Sequence, residues 1–238
     1  MGAIGKRRDK TDFNTETLAK ALKEKLSLKK NIAAMKYDPK PPEGVPVEKG
    51  PHFWCGVCGD IFYGDSSPVF FTAKASSCGG CANIGIGGIK ATREEFEAAL
   101  NGQVLGEGNL YARKDLLAKG RSIFPRYPRV SGGVTIGPLE QISMPDLIIF
   151  PVNGKQICML STAYGFETGE VIFGYAGKST CLMSVSFPYV ENVPVFTAGD
   201  YGGRTFMRLE DEESVVCFPF RLVPGLVRNL DRTVFAQG

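Results

Sequence analysis

The sequence predicts an α/β to α+β fold: a mixed sheet with flanking helices and a cysteine-rich, metal-binding insertion. Three observations carry that prediction. Short apolar runs of strand character interleave with segments whose apolar residues recur every three or four positions. One run, "PDLIIFPV" at 145–152, is apolar throughout its strand and needs cover on both faces of a sheet. Two Cys-x-x-Cys pairs, Cys55/Cys58 and Cys78/Cys81, stand nineteen residues apart around a strand-like stretch.

Residues 1–14 read as a flexible basic tail, and 15–238 as one domain containing a cysteine-rich segment at 52–88. Residues 1–40 hold eleven Lys/Arg against five Asp/Glu, yet the whole chain carries a net charge of only +3. The basic arm is therefore read as a solvated tail, and a nucleic-acid partner is not expected. No apolar run approaches the ~20 residues of a membrane span, and the N-terminus lacks the features of a signal peptide. The expectation is a cytoplasmic protein with no membrane association. In that reducing setting seven cysteines argue for metal or redox chemistry rather than structural disulfides.

Leu18, Leu22 and Leu26 mark one face of a helix over 15–28. "NIAAMKYD" (31–38) reads as a strand. The five prolines of 39–51 make a linker or rigid loop, and Val69–Thr72 a further strand. "TREEFEAAL" predicts a helix capped by Thr92 with Glu95 and ended near Gly102. A short helix and a basic loop, Arg113 to Arg129, follow. Strands are expected in 133–142 and 145–152, then a helix over 154–169 with Ile157, Leu160 and Tyr164 inward. "EVIFGYAG" (170–177) is strand-like, and Ser179–Phe187 fits a helix or a buried strand. "VPVFTAGDYGGR" (193–204) reads as a strand entering a glycine turn. "VVCFPF" (215–220) is a strand, and 222–230 closes as a short helix.

Tight turns would bring the sulfurs of each Cys-x-x-Cys to one side, with the Gly59 amide free to face a thiolate. Gly79 and Gly80 let backbone approach a cofactor closely. Four thiolates suit tetrahedral zinc or an iron–sulfur cluster, and the spacing leaves both open beside metal-free thiols. A redox-active dithiol should open a helix, which two glycines between Cys78 and Cys81 do not favour. Cys158 and Cys217 read as buried small hydrophobes, and Cys181 as core or as an alternative ligand. Arg204 could face an anionic ligand, though pairing with an acid of "LEDEES" is the plainer account. The single histidine, His52, reads as a surface residue and gives no basis for a Cys-His or Ser-His-Asp machine. No catalytic constellation is recognised. Gly85–Gly88 and Ser131–Gly133 read as turns rather than phosphate cradles.

The second half carries "VTIGPLEQISMPDLIIFPVNGKQICMLSTAYGFETG", then "STC", "AGDYGGR" and "DEESVVCFPFRLVPGLVRNL". These stretches resemble the domain-of-unknown-function 169 family from about residue 16 onward. The matching positions are Pro138, Leu139, Pro145 and Asp146, one of Cys55 or Cys58, Cys78-Gly79-Gly80, Cys181, Gly202-Gly203-Arg204 and Asp211-Glu212. Cys58 and Cys81 depart from the family pattern by turning single cysteines into pairs. The resemblance implies a cytoplasmic setting that leans toward anaerobes, which favours an oxygen-sensitive cluster of the 4Fe–4S kind. The expected function is therefore iron–sulfur binding with an electron-transfer or redox-linked small-ligand role, served by a redox partner protein or a small molecule. The alternative is a non-enzymatic binding module with a structural zinc site built from four cysteines.

Overall fold

A computed structural model describes residues 14–50, 52–72, 132–176 and 180–236, together with Ala75 and Leu116. The basic tail up to residue 13, the helix expected at Thr92, the basic loop 113–129 apart from Leu116, and the Gly85–Gly88 turn lie outside the described residues, as do Cys78, Gly79, Gly80 and Cys81.

Among the described residues, seven strands form one mixed sheet. The strands are β1 (Ala33–Asp38), β2 (Val69–Phe71), β3 (Gly133–Pro138), β4 (Leu147–Val152), β5 (Phe173–Tyr175), β6 (Val195–Thr197) and β7 (Ser214–Pro219). Their order is β2-β3-β1-β4-β7-β6-β5, so the apolar β4 occupies the middle. All pairings are antiparallel except β5 with β6, where a helical crossover links two parallel neighbours. This is the mixed-sheet, α+β arrangement that the sequence pattern predicts.

Period-two alternation divides the sheet residues between two cores. Ala34, Ile148, Phe150, Val152, Val216 and Phe218 face three helices: α1 (Thr15–Leu26), α3 (Gly154–Thr168) and α6 (Val223–Leu230). Asn14 caps α1 by accepting from Glu16 N at 2.9 Å, and Leu18, Leu22 and Leu26 are its buried stripe. Asn153 and Gln156 form a reciprocal capping box that starts α3 directly after β4.

Met35, Ile136, Leu147, Ile149, Val215 and Cys217 point to the opposite face. There they meet α2 (Trp54–Tyr63) and a helical segment that opens at Thr180, includes a π stretch at Leu182–Ser186 and runs into α4 (Phe187–Glu191). The segment predicted as helix or buried strand is thus helical. The expected glycine turn after β6 is instead a short helix, α5 (Tyr201–Phe206). Its amides find a cap in Asp200, so the two glycines of "YGGR", which favour turns, are held in helical form.

The proline-rich stretch forms a strap bonded to the sheet. Phe70 N donates to Pro46 O at 2.8 Å and Glu48 N to Phe70 O at 2.9 Å, laying 46–48 along the outer side of β2. Gly132 and Gly133 lead into β3 beside Asp38 and Phe71. A side chain at Gly133 would stand 2.5 Å from Phe71 O, so this glycine pair serves close backbone packing. Among the described residues no helix is long and apolar enough to cross a membrane.

Candidate functional site

The first cysteine pair does not form a knuckle. It lies in the first turns of α2, which begins at Trp54 with Phe53 at its N-cap and without a side-chain cap from that residue. Phe53 stacks on Phe206 with ring centroids 4.0 Å apart, pinning the helix start against α5. Gly59 lies inside α2 rather than facing a metal-bound sulfur. A Cβ there would stand 2.5 Å from Phe206 O, so the absent side chain permits the close approach of α5.

Cys55 is partly buried and Cys58 wholly buried. The Cys58 side chain belongs to the apolar cluster that also contains Trp54, Val57, Cys181 and Cys217. Burial pushes the Cys58 thiol well up, with the neighbouring Cys181 thiol adding to the effect. Burial likewise raises Cys217, with Cys58 as the next influence. Three thiols from three elements therefore share one apolar interior. Cys217 is the buried hydrophobe that the sequence predicts, but Cys158 is not. It lies on the exposed face of α3, because the inward stripe is Leu160, Ala163 and Tyr164.

Tyr37 and Tyr189 border this interior, their ring centroids 4.4 Å apart. Burial raises the Tyr37 hydroxyl well above its ordinary range, with Tyr189, Cys217, Asp146 and Cys181 acting in the same sense. Asp146 accepts from Tyr37 N at 2.8 Å through Oδ2, while its own amide donates to Met35 O and its carbonyl accepts from Phe220 N. Burial lifts its carboxyl above the usual range, opposed by the Tyr37 amide. The Pro-Asp motif is thus a clamp joining β1, β4 and the end of β7.

Arg204 donates through Nη1 to Ala198 O at 2.9 Å and Glu213 O at 3.0 Å, and through Nη2 to Glu210 O at 2.6 Å. Its acceptors are carbonyls rather than the carboxylates of "LEDEES". His52 is exposed, its Nδ1 lying 3.5 Å from Glu48 Oε2. Its backbone amide donates to Ala75 O at 2.8 Å, and the Ala75 side chain is buried in the cluster with Trp54 and Cys58.

Two features had no clear sequence signal. Among the described residues, the buried Trp54 indole N–H, one residue from Cys55, has no hydrogen-bond acceptor. Asp200 caps two helices at once, accepting from Gly203 N at 2.6 Å and Thr180 N at 3.0 Å. The sequence reads this stretch as a glycine turn, so neither the cap on Gly203 nor the bond to Thr180, twenty residues upstream, is expected from it.

Among the described residues, no group of three or more Cys, His, Asp or Glu side chains is arranged to hold a metal ion. Cys58 and Cys181 share one apolar cluster with Cys55 packed against it, while the second pair lies outside the described residues.

Fold and site together define an α+β protein whose mixed sheet carries a thiol-rich interior beneath one helix. Residues 21–229 match the model of the DUF169 family, described as "Uncharacterised ArCR", and the chain belongs to that family. No curated protein and no solved structure matches the chain.

Proposed function

We propose that this protein binds a metal centre through Cys55, Cys58, Cys78 and Cys81, and that the centre is an iron–sulfur cluster of the 4Fe–4S kind. The observation that carries the reading is the contact of His52 N with Ala75 O at 2.8 Å. His52 precedes Cys55 by three residues, and Ala75 precedes Cys78 by three. Three residues of extended chain span at most about 11 Å, so the sequence separation would allow Cys78 to reach the start of α2, with Cys81 three residues further on.

The surroundings suit such a group. The positive end of the α2 dipole favours a negatively charged sulfur near the helix start. The orphaned Trp54 N–H is a donor that would suit a thiolate or sulfide acceptor, and an unmet buried donor otherwise costs about 1–3 kcal/mol. Sulfur ligands select zinc or iron over magnesium and calcium. When bound, a cluster supplies a one-electron centre at a potential tuned by hydrogen bonds and burial. Cys55 and Cys58 would hold it, Trp54 would donate to it, and the apolar cluster would limit water.

The role we infer is electron transfer in the cytoplasm, or redox-linked binding of a small ligand beside the glycines Gly79 and Gly80. A structural four-cysteine zinc site in a non-enzymatic module is the second reading, favoured by the same four-sulfur set. Cys181 is the alternative ligand, since it neighbours Cys58.

Metal analysis and absorption spectra of protein purified without oxygen test this. The expected result is iron and inorganic sulfide with a broad band bleached by dithionite. One zinc per chain and no colour would replace the cluster with the second reading. Full metal content in a Cys55→Ser/Cys58→Ser variant would overturn both.

A further inference from the structure

The helical setting of the first pair gives it a chemistry of its own. We propose that Cys55 and Cys58 act as a redox-active dithiol that closes to a disulfide by exchange with a small-molecule disulfide. Cys55 is the attacking sulfur and Cys58 the resolving one.

Geometry carries the argument. Residues three apart on an α-helix have Cα atoms about 5 Å apart, inside the roughly 4.4–6.8 Å window of disulfides. α2 runs from Trp54 to Tyr63, so both cysteines sit within it, at its N-terminal end. The two sulfurs differ in access: Cys55 is partly exposed, and Cys58 is sealed at 0% among Trp54, Val57 and Ile61. An external disulfide therefore meets Cys55 first, and Cys58 is reached only from within the protein. Among the described residues, nothing stands within 4 Å of where a side chain at Gly56, between the two, would begin.

The exchange balances. The Cys55 thiolate attacks one sulfur of the incoming disulfide, whose S–S bond breaks and releases one thiolate. Cys58 then attacks the Cys55 sulfur, forming the intramolecular bond and expelling the second thiolate, while its proton passes to a departing thiolate. The protein loses two electrons and two protons, and the external disulfide becomes two thiols.

The inference does not depend on the metal reading, because it needs only the helix-borne pair; a metal held by these sulfurs would shield them until it is removed. The test uses the full chain carrying Cys78→Ser/Cys81→Ser, treated with chelator without oxygen and then with oxidised glutathione. The peptide containing both cysteines should lose two hydrogens in mass. Adding Cys58→Ala should leave glutathione attached to Cys55, and adding Cys55→Ala should leave Cys58 unmodified. Two surviving thiols, a bond from Cys55 to Cys181, or glutathione on Cys58 in the Cys55→Ala variant would each overturn the proposal. Metal analysis of the untreated wild-type chain reports separately on the other reading.

Discussion

Thr180 and Asp200 hold each other through two reciprocal hydrogen bonds. Thr180 N donates to Asp200 Oδ2 at 3.0 Å, and Asp200 N donates to Thr180 Oγ1 at 2.7 Å. The remaining carboxylate oxygen accepts from Gly203 N. One side chain thereby starts both α5 and the helix that carries Cys181, and it fixes Cys181 over Cys58 and Cys217.

Asp200→Ala should therefore cost more than the loss of one ordinary cap. A single cap is worth about 0.5–2 kcal/mol, so removing two should lower stability by about 2–3 kcal/mol. Asp200→Asn, which keeps one acceptor oxygen, should lose less than half of that. Urea midpoints of the three proteins check the order.

Gly56 and Gly59 lie on the same helix and should respond oppositely to alanine. Gly56 faces open space, so Gly56→Ala should stabilise α2 by up to about 1 kcal/mol. Gly59 faces the Phe206 carbonyl and the Met207 backbone, and Gly59→Ala should destabilise by about 1–3 kcal/mol. Thermal melts of both variants decide the signs.

The buried thiols predict a pH dependence at the alkaline end. Burial raises Cys58 and Cys217 above their ordinary values in the folded chain. Below the ordinary thiol range, ~8.5, folded and unfolded chains are both protonated and stability is flat. Above it the unfolded chain releases protons that the folded chain keeps, so stability falls by about 1.4 kcal/mol per pH unit per thiol. Denaturation of the metal-free chain from pH 8 to 10 should show the decline. Cys217→Ala should remove one thiol's share of the slope.

The sheet was legible where burial is two-sided or alternating. The apolar run of β4 told of a central strand, and Leu18, Leu22 and Leu26 marked the buried face of α1. The failures were local. Cys158 sits in an apolar-looking stretch, but α3 turns only Leu160, Ala163 and Tyr164 fully inward. "GDYGGR" reads as a turn because glycine favours one, yet the distant Asp200–Thr180 pairing supplies what a helix start needs. Cys-x-x-Cys suggested a knuckle, whereas the run "WCGVCGDIFY" is apolar enough to dock as a helix against the sheet. Spacing predicts that sulfurs can meet; it does not tell which secondary structure brings them there.

The strap at Pro46–Glu48 has a consequence for self-association. By bonding along β2 it closes that margin of the sheet to a second molecule, with prolines that cannot extend the ladder. Among the described residues the opposite margin ends at β5, three residues long, with Phe173 turned to solvent. Of the described strands, only this brief edge is left for strand-by-strand pairing, and it is too short to template a long one.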